Sequence, residues 1–532
     1  MFVKEKLTIA PELDNLVQKL RASFKATQEG PKIKATKTLE GLALVYERFR
    51  SSIEYHEEHL LRKNAIKRII KRLLFYHRDY EKVAQLLVDD LIRAGYFKNE
   101  TILESAVLRI KIILEKYQVI FDQIGERPFQ ERPKLQNWLL GIIACEVEDL
   151  LVPSAPQEAL IEFATPILTS DLDWEGTKLT QSEKDLQIYI VMNRVLYKAD
   201  QQMLYYRVFK KMYPDWFKTP TLDLVNSIAV NFEKVKNSIE TQAGNPLNDV
   251  MSRKLRRYAM IFWVLNDVIV ENLGQIEKLV TDPFKFEEQI KAKCEGRYRS
   301  FGSKLRRSFI RSVIYIFFTK TILAFLLELP YDLYLRGEVF WFPFITNIVF
   351  HPFLMLIIGA SVKVPSAKNT TEIVNSVFKI AYQEKKASIL YKSSRVIVHH
   401  PVLNSIFNVF YTLAFLVSFG GIVYLLYWVG FNWIGGLLFI FFLTAVSFFG
   451  IRLRYGMREL IVLPKEGNLF TTLIDFFSIP FIQAGKWVAN KLPKINVIVF
   501  VLDRIIEAPL KSLIPVLDHW ISYVKDKKDE IY

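Results

Sequence analysis

From Val396 to Ile451 the chain runs fifty-six residues without one Asp, Glu, Lys or Arg, and the run is bracketed by Arg395 and Arg452. A hydrocarbon core of about 30 Å is crossed by roughly 20 apolar helical residues, so this stretch suffices for two crossings. They would join at a Gly430-Phe431-Asn432 turn. Both ends are basic, which predicts that both face the cytoplasm.

Two more apolar segments precede this hairpin, giving four predicted spans near residues 309–329, 339–362, 405–429 and 431–451. Orientation follows Lys and Arg near span ends. Residues 291–312, 363–402 and 452–466 hold 8, 7 and 4 of them, against Arg336 alone in the two opposite turns. This predicts cytoplasmic N- and C-termini. Lys304, Arg306 and Arg307 before the first span, and Arg452, Arg454 and Arg458 after the fourth, are the expected contacts with anionic headgroups. Tyr424, Tyr427, Trp428 and Trp433 gather at the other end, where amphipathic rings favour the interface.

Composition divides the chain the same way. Residues 1–300 carry 46 Lys+Arg against 42 Asp+Glu, and residues 301–532 carry 25 against 14. Most of the +15 net charge therefore belongs to the apolar half, which points to the lipid bilayer as partner and away from nucleic acid. The cysteines, Cys145 and Cys294, fit neither a disulfide framework nor a metal spacing. The N-terminus lacks the apolar core of a signal peptide, so the first 300 residues are expected to stay inside.

The first 300 residues read as helix after helix, with apolar positions three and four apart and strand-like alternation scarce. The expected fold is all-α: a soluble multi-helix N-terminal domain, a four-helix transmembrane region and an amphipathic helical tail. Pro11 opens the first helix, Asp79 caps another that Gly95 ends, and Thr101/Glu104 and Thr180/Glu183 have capping-box spacing. Thr219-Pro220, Asn245-Pro246 and Asp282-Pro283 each predict an N-cap followed by a helix-starting proline. The segment GERPFQERPK (125–134) reads as a linker. Expected domains are 1–124, 135–300, a membrane domain 301–466 and an interfacial tail 467–532. In that tail Leu502, Ile506, Leu510, Leu513, Leu517, Trp520 and Val524 form one stripe.

No catalytic signature emerges, so no enzyme, metal or cofactor is expected. His56-Glu57-Glu58-His59 sets its imidazoles three apart, where a zinc-protease helix needs four. Asp171 to Gly176 imitates half an EF-hand loop, but position twelve is Ser182. Arg62, Lys63, Lys67, Arg68, Lys71 and Arg72 read as a solvated basic face on a packed helix. Within the spans, Lys320 is the ionisable residue far from both ends, and no acid lies inside the other three spans to pair with it. Snorkelling to the interface is the preferred reading, with a functional role as the alternative. Asn347, His351, Asn404 and Asn408 could line a polar path with it or only join helices.

The stretches ADQQMLYYRVFKKMYPDW (199–216) and IIEAPLKSLIPVLDHWISYVKDKKDEI (505–531) resemble uncharacterised integral membrane proteins of small-genome bacteria. That resemblance implies a bacterial inner (plasma) membrane and carries no activity. The leading expectation is a membrane-anchored scaffold or recruitment protein with a protein partner on the cytoplasmic side. The rival is a small-solute or ion transporter or channel subunit with a regulatory cytoplasmic domain, whose four spans would need oligomerisation to enclose a path.

Overall fold

The computed structural model describes residues 10–25, 30–34, 58–174, 179–218, 220–362, 365–382, 389, 401–463 and 469–491. Regular structure among them is helical, with one isolated bridge between Lys32 and Leu103. The stripe Leu502 to Val524 lies outside the described residues, as do the His56-Glu57 pair and the second half of the 171–182 loop up to Lys178.

Backbone contacts divide the chain into two units. The first contains α1 (Pro11–Lys25), α2 (Glu58–Tyr76), α3 (Tyr80–Arg93), α4 (Ser105–Gly125), α5 (Arg132–Leu151), α6 (Ala155–Asp171), α7 (Gln181–Leu196), α8 (Gln201–Met212), α9 (Leu222–Val230), α10 (Phe232–Ala243) and α11 (Pro246–Leu255). One apolar core runs through it from Ile33 to Ala243, so residues on both sides of the 125–134 turn pack together. The second unit begins at Arg256, earlier than the expected boundary at 300. It contains α12 (Ala259–Glu271), α13 (Ile276–Val280), α14 (Pro283–Arg336), α15 (Trp341–Ala360), α16 (Ala367–Ala381), α17 (Pro401–Val429), α18 (Trp433–Arg458) and α19 (Leu469–Lys491). The shift has a packing cause: α12 and α13 lie on α14, and Arg297 of α14 donates to both oxygens of Asp267 at 2.5 and 2.8 Å.

Caps set the helix starts. Asp79, Thr180, Asp200 and Asp282 each accept a backbone N–H in the first turn of the helix they precede, and Thr180 with Glu183 completes the reciprocal box. The Thr101/Glu104 box does not form, because the Thr101 hydroxyl donates to the Lys98 carbonyl at 2.5 Å instead.

The first unit buries charge as well as apolar surface. Arg62 and Lys63, expected in solvent, turn inward: Arg62 meets Glu148 at 3.0 Å and Lys63 meets Asp200. Arg207 is 1 % exposed and bonds to Glu158 and Ser154, while Lys210 bonds to Asp149 at 2.8 Å. Burial alone would raise the Asp149 carboxyl, but Arg207 and Lys210 outweigh it and hold it well below the usual carboxylate range. Burial and then the adjacent Lys63 push the Lys67 ammonium down to about 8. Lys116, Glu146, Tyr117 and Trp216 form a second chain, with bonds of 2.6, 2.6 and 3.1 Å.

In the second unit, α14, α15, α17 and α18 are long and apolar enough to cross a membrane. The helix α19 packs along α17 and α18 at the middle of both: the Ser418 hydroxyl donates to the Phe477 carbonyl at 3.2 Å, and the Phe419 and Phe481 rings lie 4.8 Å apart. The described part of the tail thus lies against the spans; the stripe expected to lie on a surface falls outside the described residues.

Candidate functional site

The first span is longer than the sequence suggests, and the extension builds the site. α14 is regular as far as Leu323, then passes through a π turn at Ala324–Glu328, one α turn at Leu329–Tyr331 and a second π turn at Asp332–Arg336. Pro330 has no N–H to give and its ring crowds the preceding turn, so a widened turn keeps the helix going where a regular one would kink. The backbone N–H of Leu329 reaches back five residues to Ala324. Gly337, at φ +78°, ends the helix in the left-handed conformation that glycine adopts without strain.

The π turn decides which side chains share a face. Eight residues of regular helix would turn Glu328 about 80° away from Lys320, and absorbing one extra residue reduces the offset to about 20°. Lys320, Glu328 and Asp332 are accordingly all buried, at 1, 1 and 2 % exposure. Facing them from α15 are Asn347 and His351, both fully buried, and from the start of α18 Asn432 and Gly435.

At one end of this chain, Lys320 Nζ bonds to His351 Nδ1 and lies over the rings of Phe439 and Phe442, 5.3 and 5.1 Å from their centroids. His351 Nε2 is 3.0 Å from the Phe439 carbonyl, which can only accept, so the ring proton is assigned to Nε2 and Nδ1 accepts from the lysine. Among the described residues no carboxylate is in ion-pair contact with Lys320. In the middle, Asn347 Nδ2 donates to Glu328 Oε2 at 2.6 Å and to the Gly435 carbonyl at 3.3 Å. A Cβ on Gly435 would collide with the Glu328 carboxylate, so the glycine is what lets that carboxylate rest on the first turn of α18. The partial positive charge of a helix N-terminus suits an acid there. At the far end, Asn432 caps α18 by accepting from Gly435 N at 2.5 Å and donates to Asp332 Oδ1 at 2.7 Å. Arg336 stands 3.6 Å from the same Asp332.

The result is a line of polar groups, Lys320, His351, Asn347, Glu328, Asp332, Asn432 and Arg336, about 20 Å long at the helical rise. From Lys320 to Asn432 it is buried among helices apolar enough to span a bilayer, and Arg336 at its end is exposed. Its Arg336 end meets a cavity of about 650 Å³ between the ends of α14, α17 and α18.

Three of the five intramembrane candidates come together: Lys320, Asn347 and His351. Snorkelling is corrected, since Lys320 points into the helix contacts and is sealed there. Asn408 is exposed on α17 and takes no part, and the side chain of Asn404 lies outside the described residues. Glu328 and Asp332 are missed because the first ends a span read as 309–329 and the second falls in its turn. The signal was Pro330, which makes a continuing helix need a widened turn. Lys304, Arg306, Arg307, Arg452 and Arg458 are exposed, and Arg454 is half-buried. Among the described residues no group of three His, Cys, Asp or Glu is placed to hold a metal. Comparison of the chain with protein-family models, curated proteins and solved structures finds no match.

Proposed function

We propose that the second unit is a transporter or channel subunit, moving an ion or small solute along the buried line from Arg336 to Lys320. The observation that carries this reading is Lys320 sealed among the spans with no carboxylate in ion-pair contact among the described residues, while Glu328 lies two turns away on the same helix. Ionisable groups are costly in a bilayer and mark ion pathways and proton relays when they face a bundle interior. The charge count supports an orientation with both termini in the cytoplasm and the Arg336 end outside.

The test is ion or proton flux in liposomes holding the purified full chain. Lys320→Leu removes the charge and keeps an apolar filling, so it is expected to abolish flux while the protein still inserts. Unchanged flux in this variant would end the proposal.

A second reading keeps the first unit as a recruitment domain with a protein partner. It is supported by Phe129 and Leu222, each 80 % exposed on a unit whose buried charges are otherwise matched. If it holds, a double Phe129→Ser, Leu222→Ser variant loses a partner captured by the wild-type chain and leaves flux untouched.

A further inference from the structure

The cavity at the Arg336 end has a chemistry of its own. Its polar side is Arg336 and Asn432; the rings of Tyr331 and Trp433 flank it; Leu426 and Ile440 continue it as an apolar wall. Arg336 is held loosely. One guanidinium nitrogen lies 3.6 Å from Asp332 and 3.5 Å from the Gly430 carbonyl, and the plane sits 4.6 Å over the Phe340 ring. Its other N–H groups meet no acceptor among the described residues, and a third of the side chain remains exposed. Guanidinium donors come in a fork that fits two oxygens of one oxyanion. Asp332 does not fill that fork: it approaches one guanidinium nitrogen through Oδ1 at 3.6 Å, the oxygen that also accepts from Asn432 at 2.7 Å.

We infer that this cavity binds an anionic amphiphile, with the oxyanion head on Arg336 and the apolar body along Leu426 and Ile440. Three features select that class. Asp332 approaches only one of the guanidinium nitrogens, so the rest of the fork has room for one oxyanion. The wall beyond it is apolar for most of a 650 Å³ space, enough for a body of drug-like or fatty-acid size. The flanking rings are those that favour the boundary between water and hydrocarbon, where an amphiphile concentrates. A neutral solute would leave the guanidinium fork unused, and an inorganic anion would leave the wall empty. Because Arg336 also ends the buried line, the ligand would be the solute moved, or gate its movement; that meaning rests on the transport reading, whereas the binding itself does not.

The head could be the carboxylate of a soluble acid or the phosphate of a membrane lipid. Titration of the purified full chain in neutral detergent with 3-phenylpropanoate, and separately with phosphatidylglycerol, distinguishes the two. At least one is expected to bind saturably, and Arg336→Gln is expected to weaken that binding about 30-fold, as for the loss of a charge-assisted contact. Ile440→Trp should block the same binding with the arginine intact, and Lys285→Gln, in the first turn of α14 and exposed, should change nothing. Carboxylate binding alone names a soluble substrate, and lipid binding alone a lipid head. Equal affinity of wild type and Arg336→Gln for both probes, or no saturable binding of either, overturns the site. Liposome flux of Lys320→Leu reports separately: retained flux with Arg336-dependent binding removes the transport reading and leaves the site, and the reverse result removes the site alone.

Discussion

Both units bury charged side chains, and they treat them in opposite ways. In the first unit four buried cations reach carboxylates: Arg62 has Glu148, Lys63 has Asp200, Lys116 has Glu146, and Arg207 has Glu158. Among the spans Lys320 has a neutral imidazole and two ring faces, Glu328 has a carboxamide, and Asp332 has a carboxamide with Arg336 at a looser distance. A matched pair in low dielectric is hard to disturb and fixes which helices meet. Unmatched groups in the same kind of surroundings can change state at modest cost. The difference separates a charge network that holds a fold from one placed to act.

The largest expected effect tests the first half of that contrast. Arg207→Ala leaves Glu158 without its guanidinium partner and strips Asp149 of a neighbouring positive charge, in a site where Arg207 is 1 % exposed. Breaking a buried pair by removing one member costs about 3–5 kcal/mol. Hydrogen exchange of the full chain should show α5, α6 and α8 losing protection together, with α15 and α18 unchanged. A shift below about 1 kcal/mol would mean that these ion pairs are decoration.

Acid probes the same network without mutation. Asp149 is held below its unfolded value, so the folded state binds fewer protons than the unfolded chain as pH falls through the carboxylate range. Its stabilisation is full above the unfolded value of about 4 and is lost progressively below it. Protection of α5 and α8 should therefore fall on acidification from pH 5 to pH 3, and Asp149→Asn should flatten that part of the profile.

Next comes a test at a glycine in each unit. A Cβ on Gly435 would sit 2.9 Å from the Glu328 carboxyl carbon and 3.1 Å from Asn432 Oδ1, and a Cβ on Gly141 would sit 2.8 Å from the amide carbon of Gln202. Gln202 is half-buried and can swing aside; Glu328 is sealed and bonded to Asn347. Gly435→Ala should cost about 1–3 kcal/mol, as overpacking does, and impair flux. Gly141→Ala should cost little, and in a helix the change even favours stability. Equal costs would show that the Glu328 contact is slack.

These sites also show what can be read from residues alone. Helices, their caps at Asp79, Thr180 and Asp282, and the four apolar segments follow from periodicity and local hydrogen-bonding chemistry, which act within a few residues. Lys320, Asn347 and His351 were legible as candidates because polar groups are rare in apolar runs. Glu328 and Asp332 were not, since their burial depends on a π turn that shifts the helix face and on a glycine 107 residues after Glu328. The inward turn of Arg62 and Lys63 escaped for the same reason: a basic helix reads as solvated until Glu148 and Asp200, over 80 residues away, arrive beside it.

Lys67 supplies the smallest and finest test, because it is the first unit's own exception. It lies one turn from Lys63, is half-buried, and is lowered to about 8 by burial and by that neighbour. For a cation whose folded value is depressed, the unfolded chain binds the proton more tightly, so the penalty is complete below pH 8 and disappears as pH rises towards the free value of about 10.4. Stability of the first unit should climb modestly across that interval. Lys67→Met should remove the climb and raise protection of α2 at pH 7 by less than about 1 kcal/mol, since solvent still screens a half-buried side chain. If Lys67→Met instead lowers stability, the ammonium has a partner worth more than its burial costs, and even this residue belongs with the matched charges of its unit.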